Sequence, residues 1–127
     1  MLGLTTPEEA DRHGWSDLAD RLAAVGLTWL NAPIADFMVP DATFERSWPA
    51  LRARLVATLD GGGRVLVHCR GGRGRSGTVV AALLVAGGLP AGEAVRVVRQ
   101  AHPGAIETAD QEAWVRRLTA GPLGGAR

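Results

Sequence analysis

The stretch Arg64-Val65-Leu66-Val67-His68-Cys69-Arg70-Gly71-Gly72-Arg73-Gly74-Arg75-Ser76-Gly77 runs straight into the apolar segment 78–90. Arg64 to His68 reads as a compact strand with Val65, Leu66 and Val67 at its centre. Cys69 to Ser76 reads as a glycine-rich loop. Gly77 to about Ala86 reads as a helix that is hydrophobic all round, and such a helix must be buried. A strand, a glycine loop and a buried helix in that order make half of a βα unit. In it, successive backbone amides and a helix N-terminus face one point, which is a cradle for an anion.

Upstream, Leu27 to Asn31 has the pattern of a second short buried strand containing Trp29. Pro33 and Pro40 bracket an irregular loop, Ala32 to Asp41. Phe44, Trp48, Leu51, Leu55 and Leu59 then share one helical face, with Pro49 expected to kink or divide that helix. Thr6-Pro7-Glu8-Glu9 is a helix start. Ser16 is placed to cap a second helix with Leu18, Leu22 and Val25 on one face and Gly26 as its stop. Leu2 to Thr5 suits the tail of a strand, but four residues cannot carry that assignment alone. Downstream, Pro90 opens a helix to about Ala101, and Thr108-Ala109-Asp110-Gln111 forms a capping box ahead of a last helix with Trp114, Val115 and Leu118. The alternation implies an α/β fold: a short, mainly parallel sheet flanked by helices. Residues 1–120 are expected to form one domain and 121–127 a frayed tail.

Composition narrows the function. The chain has 127 residues, a net charge of +1, 46% hydrophobic and 21% charged residues, so one globular domain is expected. A near-neutral balance lacks the electrostatic footprint of a nucleic-acid binder. The single cysteine, Cys69, excludes an intrachain disulfide and a cysteine-rich zinc module. His13, His68 and His102 lie too far apart for metal-ligand spacing, and no metal or cofactor is expected. The run 78–90 is shorter than the roughly 18 apolar residues of a membrane helix, and no signal peptide is visible. A soluble, reducing, cytoplasmic setting follows as the default. All fourteen basic residues are arginine, which reads first as codon bias in a GC-rich bacterial genome.

Three chemistries compete for the loop. Gly72-x-Gly74-x-x-Gly77 matches a dinucleotide fingerprint, but the acid about 20 residues on, Glu93, lies in a helical pattern rather than at a strand end. A nucleotide-triphosphate loop needs Gly-Lys-Ser/Thr, and the chain has no lysine. The third accounts for more residues. Cys69 at the strand end faces Arg75 across a tight loop, where amides, the helix dipole and the guanidinium favour a thiolate. Arg75 presents a planar fork for two phosphate oxygens. The glycines keep side chains away from the amides, and the Ser76 hydroxyl can hydrogen-bond the thiolate and help it leave.

His68 to Gly77 fits H-C-x-x-G-x-x-R-S/T-G and so resembles the cysteine-dependent protein tyrosine and dual-specificity phosphatases, most closely the compact group that includes the kinase-associated phosphatases. Pro33-Ile34-Ala35-Asp36 with Pro40-Asp41 is similar to that group's general-acid loop. Ala105-Ile106-Glu107-Thr108 with Gln111 is similar to the stretch before its last helix. The resemblance spans about Leu27 to Leu118 and implies a phosphatase fold with a reduced N-terminal part, since Met1 to Thr5 matches only the end of the strands that usually precede Thr6.

By that resemblance Cys69 is the nucleophile, Arg75 the phosphate clamp, Ser76 an assisting hydroxyl and Asp36 the general acid. Asp41 is the rival acid, although it is also well placed to cap the next helix. Arg70, Gly71, Gly72, Arg73 and Gly74 would line the phosphate. Arg70 and Arg73 would meet further phosphates on a ring or would simply be solvated. Gln111 is explained by its capping box, and His68 by loop support rather than base chemistry. The substrate implied is a phosphorylated protein, on tyrosine and on serine or threonine. A phosphoinositide or inositol-phosphate phosphatase and a non-catalytic phosphate-binding module are the alternatives. No nucleic-acid partner or membrane insertion is expected.

Overall fold

The computed structural model describes residues 1–71 and 73–118. Its elements are β1 (Leu2–Gly3), α1 (Pro7–Arg12), α2 (Leu18–Ala24), β2 (Leu30–Asn31), α3 (Ala42–Asp60), β3 (Val67–His68), α4 (Gly74–Ala86), α5 (Ala91–Ala101) and α6 (Ala109–Arg116). The three strands form a parallel sheet in the order β2-β1-β3, with Leu2 opposite Leu30 and Val67, and Gly3 opposite Asn31 and His68. The segment with the weakest sequence signal is therefore the central strand. Leu2 and Leu4 are both fully buried, and the pairing runs past Gly3 through Leu4 N to His68 O (2.9 Å) and Ile34 N to Leu4 O (2.9 Å).

Because the strands are parallel, their carboxyl ends meet at one edge, and there Thr5, Ala32 and Cys69 leave the sheet together. Ligand sites of open parallel sheets form at this edge. Gly3 is needed for a local reason. A Cβ there would lie 2.7 Å from Trp29 Nε1 and 2.8 Å from His68 Nε2, two side chains that meet over the central strand.

The core lies on α4, which packs against α3, α5, α6 and β3. Val79, Ala81, Ala82, Leu83 and Val85 are buried along it. Phe44 stacks on Trp48 at 5.5 Å and meets Trp114 edge-on at 6.3 Å, which joins α3 to α6.

Several local expectations need correction. Pro49 does not divide α3, which runs unbroken from Ala42 to Asp60, because buried Trp48 and Leu55 hold both sides of the missing amide against the core. The cap of α2 is Asp17 rather than Ser16, without a side-chain capping bond. Val25 is exposed and α2 buries none of its residues, Leu18 and Leu22 being only half-buried. Leu27, Leu59 and Leu66 are also exposed. Of the two longer strands expected, 27–31 and 64–68, only Leu30–Asn31 and Val67–His68 form strand structure. The helix after the loop begins at Gly74, which places Arg75 and Ser76 in its first turn. The proposed tail 121–127 lies outside the described residues.

Leu4→Ala should lower unfolding free energy by about 3 kcal/mol, the cost of a cavity at a fully buried site. In urea titration the exposed control Leu27→Ala should stay within about 0.5 kcal/mol of the parent.

Candidate active site

Cys69 is buried at the end of β3, where Ser76 Oγ donates to its Sγ at 3.0 Å. With α4 starting at Gly74, the amides of its first turn lack partners within the helix and carry the positive end of its dipole. The first backbone bond at this end runs from Gly77 N to Arg73 O, 2.9 Å. His68 is held by Trp29, whose Nε1 donates to His68 Nε2 at 3.4 Å. Burial pushes the His68 pKa down, partly opposed by a bond to the backbone of Cys69. Its ring supports the strand end that carries the thiol.

Arg75 is buried and makes a two-pronged ion pair, Nη1 to Glu9 Oε1 at 2.6 Å and Nη2 to Glu9 Oε2 at 2.9 Å. Nη1 also donates to Ile34 O at 2.9 Å. Glu9 in turn accepts from Thr6 N (3.1 Å) and Thr6 Oγ1 (3.2 Å), the capping box of α1. One carboxylate thus caps a helix and aims the guanidinium. The Arg75 bond, opposed by burial and helped by Thr6, lowers the Glu9 pKa from 4.5 to about 2. Glu9 reads from sequence only as a first-turn acid. The available signal was the capping box, which commits this carboxylate to an ordered position.

Asp36 Oδ1 lies 3.3 Å from Arg75 Nη2, and its side chain is 46% exposed. Asp41 accepts from Phe44 N at 2.8 Å as the cap of α3. The two aspartates therefore separate, one at the clamp and one at a helix end. Between them Phe37 takes a positive φ of 62°, and Phe37 and Met38 are exposed. Gln111 forms the expected capping box with Thr108, and its Nε2 also donates to Met38 O at 3.1 Å. Fully buried, it ties α6 to the loop that carries Asp36.

Two further residues shape the opposite wall. Arg99 Nε and Nη2 donate to Ala105 O (3.1 Å) and Ile106 O (3.0 Å), while Ile106, at φ 58°, donates to Arg73 O. This pins Glu107 beside the loop: a Cβ on Gly74 would fall 2.6 Å from Glu107 Oε1. Neither Arg99 nor the placement of Glu107 was legible in the sequence. Arg70, Gly71 and Arg73 are exposed and Gly74 is buried, while Gly72 lies outside the described residues. Arg73 leans toward the Gly104 turn, its Cδ 4.0 Å from where a Cβ on that glycine would be. Among the described residues no group of three metal-ligating side chains comes together.

Glu9→Gln should destabilise the protein by about 3 kcal/mol near neutral pH, because it leaves a buried guanidinium without its counter-charge. A carboxylate whose pKa is lowered on folding stabilises above its ordinary value, and that contribution is lost as pH falls through its folded value. The gap between parent and variant should therefore be complete above about pH 4.5 and close toward pH 2. Urea titrations across pH 2–7 measure it.

Residues 1–115 match the family model described as Swiss Army Knife protein, DSP-PTPase phosphatase domain. Among solved structures, kinase-associated phosphatase with its catalytic cysteine replaced by serine superposes with a TM-score of 0.78 at 26% identity, covering 90% of this chain and 64% of that one. Tk-PTP in a glycine-to-alanine mutant form gives a TM-score of 0.76 at 32% identity, covering 91% and 72%. Tk-PTP in its active form gives 0.72 at 31%, covering 92% and 78%. The chain spans just under two thirds of the kinase-associated phosphatase chain. From the matched family and the shared fold, the chain belongs to the dual-specificity, protein-tyrosine-phosphatase-like phosphatase domains.

Proposed function

We propose that this domain hydrolyses phosphomonoesters of proteins, on tyrosine and also on serine or threonine, through a cysteinyl-phosphate. The observation that carries this is the hydrogen bond from Ser76 to Cys69 Sγ at the open end of α4, with Arg75 and Asp36 3.3 Å apart in the same site. The Cys69 thiolate attacks phosphorus, a P–S bond forms and the ester P–O bond breaks. The leaving oxygen takes the proton of Asp36. Water then attacks phosphorus, Asp36 as carboxylate accepts its proton, and the P–S pair returns to sulfur, where Ser76 stabilises it. The exposed Phe37 and Met38 beside Asp36 offer an apolar lip that suits an aromatic ester. The lone cysteine of the chain suits a reducing compartment.

Both Nη nitrogens of Arg75 are engaged by Glu9, and Nη2 also meets Asp36. An arriving phosphate dianion competes with Asp36 for that guanidinium, and the displaced carboxylate takes a proton from solvent before it serves as acid to the leaving oxygen.

Cys69→Ser should abolish aryl-phosphate hydrolysis while retaining tungstate binding, read by calorimetry. Turnover in that variant above a mock preparation would overturn the mechanism.

Asp36→Asn should slow phosphotyrosine peptides strongly and an activated aryl phosphate much less, since a leaving group of low pKa departs unprotonated. The same variant should bind tungstate more tightly, having lost the charge that competes for Arg75. Asp41→Asn should show neither effect and lose about 1 kcal/mol of stability with its cap. Leaving-group dependence in Asp41→Asn alone would move the acid role to Asp41.

A further inference from the structure

A second cavity, of about 270 Å³, opens beside the site, with walls that include Thr6, Pro7, Asp11, Trp15, Trp29 and Asn31. It is smaller than most sites for whole small molecules, roughly 300–1,000 Å³, and is of a size to take one side chain. Two indoles and a carboxylate line it. Trp29 is fixed by its bond to His68, Trp15 lies tilted against the His13 ring at 5.1 Å, and Asp11 is exposed. Asn31 Nδ2 is spent on the carbonyls of Gly3 and Thr5, so the wall offers acceptors and π faces rather than free amide donors. Such a lining attracts an organic cation: the carboxylate supplies charge, and the indole faces supply a quadrupole that ammonium and guanidinium groups favour.

The cavity is tied to both catalytic supports. Thr6 bonds to Glu9, which holds Arg75, and Trp29 bonds to His68, which precedes Cys69. It therefore lies within a few extended residues of the phosphate site, at roughly 3.5 Å per residue. The charge on α1, α2 and the turn between them is mixed, with Arg12 and Arg21 beside Glu8, Asp11, Asp17 and Asp20, so Asp11 in the wall is the charge that supplies the attraction.

We infer that this cavity is a specificity pocket for an arginine or lysine side chain of the substrate polypeptide, two to four residues from the phosphorylated one. The inference rests on the protein-substrate proposal above. An arginine there is drawn in by Asp11 and packs against Trp15 and Trp29 while the phosphate seats on Arg75.

Phosphotyrosine peptides carrying arginine at those positions are compared with the same peptides carrying citrulline, which keeps the shape and removes the charge. The arginine peptides should show a kcat/KM about fivefold higher, in the range of a partly desolvated cation–π contact with a nearby carboxylate. Asp11→Asn and Trp15→Leu should bring the ratio near one with turnover of p-nitrophenyl phosphate unchanged. Asp20→Asn, which removes an acid outside the cavity, should leave the ratio intact. A parent ratio near one, or a preference that survives both cavity variants, overturns the pocket while leaving the proposed phosphatase chemistry standing. In Cys69→Ser, the indole NH signals of Trp15 and Trp29 should move more with N-acetyl-arginine methylamide than with its citrulline analogue. Hydrolysis of the aryl phosphate with no peptide cleaved overturns the protein-substrate proposal, and the indole signals then decide the pocket: equal response to both probes refutes it.

Discussion

The pairing of Arg75 with Glu9 is the constraint on which the rest of the site depends. A guanidinium with only 2% of its side chain exposed must have a counter-charge, and the carboxylate that meets it is already fixed by the first turn of α1. Helix α1, the end of β2 through Ile34, and the start of α4 are all referred to one planar group. A lysine would supply charge but not the fork that engages two carboxylate oxygens at once.

How much of this was legible in the sequence depended on the range of the interaction. In the loop that begins at Cys69, the bond between Ser76 and the thiol was legible because it joins near neighbours, whereas the helix start lies at Gly74, earlier than the pattern indicates. The helix start at Thr6 and the capping box at Thr108 were equally local. Glu9 was invisible as a partner of Arg75 because the two are separated by 66 residues, and no spacing rule connects them. The same holds for β1. Leu2 and Gly3 have too few residues for a period, yet pairing on both sides makes them the middle of the sheet. Where tertiary packing overrode local preference, as at Pro49 inside α3, the sequence pattern pointed the wrong way for a known physical reason: the core holds both flanks of the break.

The two walls of the site are built differently. The tip of the loop Ala32 to Asp41 is held by hydrogen bonds from Gln111 to Met38 O and from Met38 N to Ala35 O and by the ion pair of Asp36 with Arg75, and it exposes Phe37, Met38 and much of Asp36. The stretch Ala105 to Thr108 is gripped by Arg99, itself paired with Glu112, and by the backbone of Arg73. The first wall is the more exposed of the two, since Ala105 and Ile106 on the second are buried. That difference suits the proposed cycle, in which Asp36 exchanges one partner for another.

The central position of β1 has a consequence for how the chain acquires its structure. Every pairing of this strand is with residues at least 28 positions later, and half of its pairings wait for Val67 and His68. During synthesis, one side of Leu2 and Gly3 stays unpaired until β3 has been made, and Glu9 lacks its guanidinium until α4 has. Such non-local closure slows folding and leaves an apolar segment exposed in the meantime. The guanidinium of Arg75 reaches Glu9 only when α1 and α4 are both in place, so a chain that stalls early lacks that ion pair.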